Sequence, residues 1–488
     1  MNSNRVLRNT LALFSGQSGA QLISFLFIAA LVKIVGDDQY GRLAFAFRFT
    51  VVLNVLSEFG LWTLLVRNVA RKPSAAASYF WNSILLKFLL SLLATALGWI
   101  VLVAVYAPVF HQPAFWATPW ILFYAWYFSV AALFRAFQEH HWDGTLSFAA
   151  KLLYAAAGLL VLRYTHDVRW VAAIFSATAA VQFAVAAFIL LRRHPGLRPA
   201  LSLARMCELL LNARLFFIIN LFTTLHLNFA VLLIAKLCSQ RDVAYYNAAA
   251  MLVLVPIVLA NAFVQSMYPV LSACHERNDN SFWPKVRLGM RWLAALAFPV
   301  ILYMTLDGGR IMTSVFRKEF AAGLVPLQIL LWGLGLDFFN PFSGHVLYVL
   351  NQQRRVMWIT AASVAANIAA NFILIPLYGI VGASCAMVIS LSVMFWGYAW
   401  MLRPWLPLTT LAARILPPLI VSALLAPLAW FLRSWLPFYI NGPLYCALCA
   451  LLFFALGLLR KSDLSMFATG PQPSVPNLQH AEPDSLTE

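Results

Sequence analysis

FWNSILLKFLLSLLATALGWIVLVAVY, residues 80–106, holds a single charge, Lys87, in a run long enough to cross a bilayer. A hydrocarbon core about 30 Å thick needs about 20 apolar residues of helix. The polar residues Ser83, Lys87, Ser91 and Thr95 stand four apart, so they share one helix face. Thirteen similar stretches surround it, at 10–33, 42–66, 115–136, 146–163, 170–191, 213–236, 243–268, 289–306, 323–349, 356–376, 379–402, 411–432 and 439–460. Hydrophobic residues make up 62% of the chain and charged residues 10%. A soluble protein would be about a quarter charged. The expected fold is therefore all-α: a polytopic membrane protein with fourteen transmembrane helices, two pseudo-symmetric six-helix lobes and two further C-terminal helices.

No gap between spans is long enough for a soluble domain. The first apolar run is long and others follow it, which excludes a lone secretory signal. There is no P-loop and no zinc-finger spacing, so an ATP-driven pump within this chain is excluded. Cys446 and Cys449 form a C-x-x-C inside the last span, without a second pair of ligands. His140 and His141 are adjacent loop residues without further ligands. No metal and no cofactor are expected.

The net charge of +17 raises nucleic acid as a partner. Its distribution argues against that. With the N-terminus inside, the even-numbered loops and both tails carry 22 of the 34 Lys and Arg residues, Lys151 among them, and the odd-numbered loops carry 10. Arg48 and Lys87 fall inside spans. This is the positive-inside bias, and it predicts cytoplasmic termini. Anionic headgroups of membrane lipids account for most of the charge.

Loop 193–212 is the longest and most basic cytoplasmic connection. It divides an N-terminal lobe (1–192, helices 1–6) from a C-terminal lobe (213–402, helices 7–12). Helices 13–14 follow at 403–461, and 462–488 reads as a disordered cytoplasmic tail rich in Pro, Ser and acids. Six spans per half would relate the lobes by an axis along the membrane normal. Leu31–Ala46 aligns without gaps on Ile234–Ala249, an offset of 203. At the same offset Gln17 meets Asn220, Gln21 meets Thr224 and Glu58 meets Asn261.

Polar groups are expensive inside a bilayer, so these positions carry information. Span one has Thr10, Gln17, Gln21 and Ser24. Span two has Thr50, Asn54, Ser57 and Glu58. Span seven has Asn220, Thr224 and Asn228, and span eight has Asn261 and Gln265 beyond Pro256. Span eleven has Thr360, Ser363, Asn367 and Asn371. Such faces turn from lipid towards partner helices or a wet cavity. The small residues read as helix–helix glue. The carboxamides and charges read as a central vestibule. Glu58, His226 and Asp337 are titratable and intramembrane, hence candidates for coupling protons; each has a structural alternative, which for Glu58 is to be the counter-ion of Lys87. Arg48 lies about 9 Å below the outer end of its span and Lys87 about 10 Å above the inner end of its own.

The chain also carries blocks of a known family. Asn9 to Gln17 fits N-x-x-x-x-x-x-G-Q, and Gly36-Asp37-Asp38-Gln39-Tyr40-Gly41 joins the first two spans. Glu58-Phe59-Gly60 and Arg67–Arg71 follow, and Asn371-Phe372-Ile373-Leu374-Ile375-Pro376-Leu377-Tyr378-Gly379-Ile380-Val381-Gly382-Ala383-Ser384 joins two later spans. Across 1–460 the chain resembles the Wzx-type polysaccharide flippases of the multidrug/oligosaccharidyl-lipid/polysaccharide exporter superfamily. The resemblance implies two lobes that rock around a cavity open alternately to each side. It implies a cargo of undecaprenyl-diphosphate-linked oligosaccharide, moved from the cytoplasmic to the outer leaflet of the inner membrane for O-antigen, capsule or exopolysaccharide synthesis. It also implies a polysaccharide polymerase and a chain-length regulator as partners.

On this reading Arg48, Lys87, Gln17, Gln21, Asn220, Asn261 and Gln265 bind substrate, with Glu58, His226 and Asp337 in coupling. A diphosphate needs positive charge near it. A cation-coupled multidrug exporter of the same superfamily is the alternative, and it would need uncompensated carboxylates in its cavity. A membrane glycosyltransferase or polymerase is the third reading. It would want catalytic carboxylates, and loop 307–322 holds only Asp307 and Glu319.

Overall fold

The computed structural model describes residues 3–460 and 463, with side chains at 19, 21–460 and 463. The tail expected at 462–488, apart from residue 463, lies outside the described residues, as does the side chain of Gln17. Helices joined by turns and short loops account for most of the described residues, and no strand occurs among them. In order they are α1 Ser3–Glu58, α2 Leu61–Arg71, α3 Ala76–Val105, α4 His111–Ala117, α5 Pro119–Ala136, α6 His140–Thr165 and α7 Val168–Arg193. Then come α8 Leu203–Leu237, α9 Gln240–Glu276, α10 Phe282–Val315, α11 Leu324–Val349, α12 Gln353–Leu402, α13 Leu408–Leu432 and α14 Phe438–Ala455.

Eleven helical segments among the described residues are long and apolar enough to cross a membrane. A bent pair, Gln21–Glu58 with Leu61–Arg71, makes a twelfth. Two glycines then divide the longest helices. Gly36 (φ 77°) breaks α1 and Gly379 (φ 56°) breaks α12, both in the left-handed region that a Cβ disfavours. With each of these counted as two arms, the segments match the fourteen spans read from the sequence.

The arms double back on each other. The rings of Phe27 and Phe47, on either side of Gly36, both meet Tyr154, at 4.7 and 6.3 Å. In α12, Ser363 Oγ donates to the Ser390 carbonyl at 2.8 Å and Asn367 Nδ2 to that of Ala386 at 3.5 Å. Ser363, read as helix–helix glue, thus closes a hairpin, and Asn367, read as a vestibule group, is instead buried between the same two arms. In lipid such bonds matter because no water can replace them.

Span two is not continuous. Phe59 (φ 45°) and Gly60 (φ 72°) are both left-handed, and the helix bends by 41° there before α2 begins. The close approach of α8 explains Gly60: a Cβ would stand 2.6 Å from both Phe216 Cβ and the Phe217 nitrogen. The Phe59 and Phe217 rings stack at 4.4 Å. Leu61, Leu64, Leu65 and Val69 of α2 pack into a core with Tyr79 and Phe80 of α3 and Val130 to Phe134 of α5.

The helices divide into two compact units. The first comprises Met1–Val258, Met304–Leu334 and Ile359–Met394; the second Leu259–Tyr303, Gly335–Trp358 and Phe395–Glu488. In the second, Trp283 and Trp405 stack at 5.5 Å. There, too, Tyr445 donates to the Ser422 carbonyl at 2.6 Å.

The α12 hairpin has a sharp steric test. A Cβ on Gly382 would stand 2.1 Å from the Leu374 carbonyl oxygen. Gly382→Val is expected to cost about 1–3 kcal/mol or more through forced separation of the arms. A lower unfolding temperature in detergent checks this, with Gly196→Ala, in open space, as the neutral control.

Candidate functional site

The first unit encloses a cavity of about 650 Å³. Its spine is the second arm of α1, where Tyr40, Ala44, Phe47, Arg48, Val51, Asn54, Val55 and Glu58 face it at helical spacing. Trp120, Tyr124 and Phe128 of α5 stand four apart on a second wall. Lys151 and Tyr154 of α6, Asn220 and Thr224 of α8, and Asn247 and Met251 of α9 also line it, with Phe27 of the first arm of α1, Trp62 of α2 and Phe175 of α7. The cavity follows the spine for about 27 Å at 1.5 Å per residue.

Arg48 is held by neutral groups alone among the described residues. Its Nε and Nη2 donate to Asn247 Oδ1 at 3.2 and 3.1 Å, and its Nη1 to Asn228 Oδ1 at 3.1 Å. Those acceptors are themselves oriented. Asn228 Nδ2 donates to the Thr224 carbonyl at 2.8 Å and Asn247 Nδ2 to Tyr40 Oη at 2.5 Å. The carboxamides fix the guanidinium without cancelling its charge.

Glu58 is the one carboxylate lining the cavity among the described residues, and its charge is matched. Lys87 Nζ donates to Glu58 Oε2 at 2.6 Å and to the Ala125 carbonyl at 3.0 Å. The Trp62 backbone N–H donates to Glu58 Oε1 at 2.8 Å. Lys87 is 0% exposed and Glu58 9%. Lys87 stands behind Glu58 and is absent from the lining. Across the bend, Glu58 therefore ties α1 to the start of α2 and to α3.

The tips of two hairpins meet beyond Tyr40. Gln240 Nε2 donates to Asp38 Oδ1 at 2.6 Å, and Tyr245 Oη to Asp37 Oδ2 at 2.5 Å. Arg241 Nε lies 3.9 Å from Asp37 Oδ2. Under the offset of 203, the pair Asp38–Gln240 becomes Arg241–Asp37. Gly41 faces its own counterpart, Ala244: a Cβ there would lie 3.4 Å from the Ala244 nitrogen and 1.7 Å from the Gln240 carbonyl oxygen. The repeat read from the sequence thus coincides with a local two-fold contact.

Other expected site residues are dispersed. Asn220 lines the cavity, whereas Gln21 is exposed on the first arm of α1. Gln17 has no described side chain. His226 is partly buried, with Nδ1 3.4 Å from Ser390 Oγ, and does not line the cavity. Asn261 and Gln265 are exposed, and Asp337 is half-buried; all three belong to the second unit. Lys151 corrects the charge count. It sits near the middle of α6, facing the cavity, and not in a cytoplasmic loop. The span boundaries already enclosed it, so that signal was available. No group of His, Cys, Asp and Glu able to hold a metal occurs among the described residues.

The family described as "Polysaccharide biosynthesis protein" matches residues 6–275. A probable low-salt glycan biosynthesis flippase of Haloferax volcanii, Agl15, is 27% identical over 172 residues, or 33% of this chain and 35% of that protein. The chain thus aligns with about a third of that relative's length. Among solved structures, lipid II flippase MurJ in its inward closed conformation superposes with a TM-score of 0.76 at 12% identity, covering 93% of this chain and 100% of that one. An outward-facing multidrug resistance MATE transporter of the MOP superfamily gives 0.58 at 12% identity, covering 84% and 96%. These two likenesses are likenesses of fold.

Breaking the buried pair should be costly. Lys87→Gln leaves Glu58 uncompensated and is expected to destabilise by about 3–5 kcal/mol, with Glu58→Gln alone similar. The double variant should recover most of that loss. Unfolding temperatures of the three purified variants check it, and strict additivity would contradict it.

Proposed function

We propose, from the premise that the chain belongs to the polysaccharide biosynthesis protein family, that it flips a lipid-linked oligosaccharide across the inner membrane by alternating access. The cargo is an undecaprenyl-diphosphate-linked repeat unit, moved from the cytoplasmic to the outer leaflet for a surface polysaccharide. One observation carries the reading. The cavity keeps the charge of Arg48, held by asparagines, while its carboxylate Glu58 is matched by Lys87. A cavity of that sign favours an anion and disfavours an organic cation. The carboxamides, Trp62 and Trp120 give hydroxyl-rich sugars donors, acceptors and ring faces. The hairpin tips form the closed end, and rocking of lobes 1–192 and 213–402 would separate them. The polyprenyl tail stays in lipid. The chain acts as a transporter and forms no covalent intermediate. A polymerase and a chain-length regulator would receive the product.

Asp337 favours the second reading, cation-coupled drug export, because it makes no ion pair among the described residues. Deletion separates the two. Loss of the gene should abolish surface glycan while its lipid-linked repeat accumulates on the cytoplasmic leaflet. Normal glycan in a strain with no compensating homologue, together with new sensitivity to cationic dyes, favours export.

Cytoplasmic termini follow from the charge bias. Cys207 is exposed and is expected to react with an impermeant maleimide only from the cytoplasmic side. Cys274 is a poor probe, being buried with Lys285 Nζ 3.0 Å from its sulfur. Cys238 should label slowly from the other side, since burial and Asp242 push its thiol up. Labelling of Cys207 from outside would invert the topology.

A further inference from the structure

We propose that Lys151 is the second anion-binding residue of the cavity, taking one phosphate of a diphosphate whose other phosphate meets Arg48. The proposal rests on the flippase reading and specifies how the cargo's anion is held. Lys151 lines the cavity and is half-buried. It makes no hydrogen bond and no ion pair among the described residues. An intramembrane ammonium with no counter-charge is costly unless water or a ligand meets it. Lys151 stands eleven residues, about 16 Å, from the start of α6, and the cavity it faces supplies its polar environment.

Its level is set by packing. A Cβ on Gly19 would meet Phe148 at 3.0 Å, and one on Gly158 would meet Phe27 at 3.0 Å. Helix α6 therefore runs parallel to the first arm of α1. One turn beyond Lys151 on the same face, the Tyr154 ring touches Phe47, the neighbour of Arg48. Lys151 stands three residues and Arg48 one residue to the same side of that contact, so along the helix axes the two cations differ in level by about 3 Å at 1.5 Å per residue.

The same lining holds polar atoms without partners. Tyr154 Oη and Asn54 Oδ1 are buried and unbonded. Such atoms are expensive to leave unmet, and a hydrated or liganded headgroup would satisfy them. No carboxylate competes for Lys151 within the lining: Glu58 is bound by Lys87. The two cations also differ in kind. Arg48 is fixed by its asparagines, while Lys151 carries a compact charge with free donors on a flexible stem. A rigid cation and a mobile one suit an anion with two centres.

The test measures binding of farnesyl diphosphate, farnesyl monophosphate and inorganic pyrophosphate to the purified full chain in nanodiscs. Wild type should prefer the diphosphate over the monophosphate. Lys151→Gln should weaken the diphosphate by about tenfold or more and leave the monophosphate within about twofold, while Lys151→Arg stays within about threefold of wild type. Pyrophosphate binding as tight as farnesyl diphosphate assigns the subsite to the anion alone. A requirement for the prenyl chain assigns it to the lipid carrier. Diphosphate affinity unchanged in Lys151→Gln but lost in Arg48→Gln overturns the role of Lys151 and leaves the flippase reading standing. No diphosphate binding by wild type, or none lost in Arg48→Gln, counts against both. If Lys151→Gln does not accumulate, Lys151→Arg decides: a tenfold or greater loss there overturns the proposal.

Discussion

The contact between Lys87 and Glu58 sets the electrical character of the cavity. A lone carboxylate on its wall would make it a site for cations. A lone ammonium at zero exposure would be prohibitive. Together, with the Ala125 carbonyl and the Trp62 N–H completing their bonds, each makes the other tolerable. The pair does more than cancel charge. It sits where α1 bends into α2, so the residue that lines the cavity also holds the hinge. What remains uncompensated in the lining is positive.

That positive charge is placed by neutral groups. Asn228 and Asn247 belong to the hairpin of α8 and α9, while Arg48 belongs to that of α1. The arginine thus bridges the two copies of the repeat just inside the clasp of Asp37, Asp38, Gln240 and Arg241. A movement that opens the clasp must also disturb the bonds to Arg48. Under the proposed function, cargo binding at Arg48 and opening of the clasp would act on the same residues, which is the coupling that alternating access needs.

Much of this was legible in the sequence. Span length and charge scarcity determine an all-helical membrane fold, because a bilayer admits only helices and closed barrels and runs of about 20 apolar residues fit the helix. The offset of 203 anticipated a relation between Gly41 and Ala244 that the structure shows as contact. Arg48, Glu58 and Asn220 were marked by their cost in lipid, and the cavity contains all three. The pairing of Lys87 was one of two readings, since a helical angle cannot say which side chain fills a hole. Lys151 was hidden by a different cause: basic residues near a span end are usually interfacial, and that habit outweighed the boundary itself. The bend at Phe59 and Gly60 was illegible because it comes from α8, distant in sequence. Asn261 and Gln265 were marked by the same polar logic as Asn220, but they are exposed in the second unit and absent from the cavity lining.

The central claim is that cavity charge selects an anionic, lipid-borne cargo. Translocation in proteoliposomes tests it most directly. Purified protein is reconstituted with a lipid-linked oligosaccharide diphosphate, and headgroup exposure to an external pyrophosphatase is followed beside uptake of a cationic dye. The account predicts protein-dependent exposure of the glycolipid, abolished in Arg48→Gln, and no dye uptake. Dye uptake that requires Asp337, with no glycolipid exposure, would contradict it.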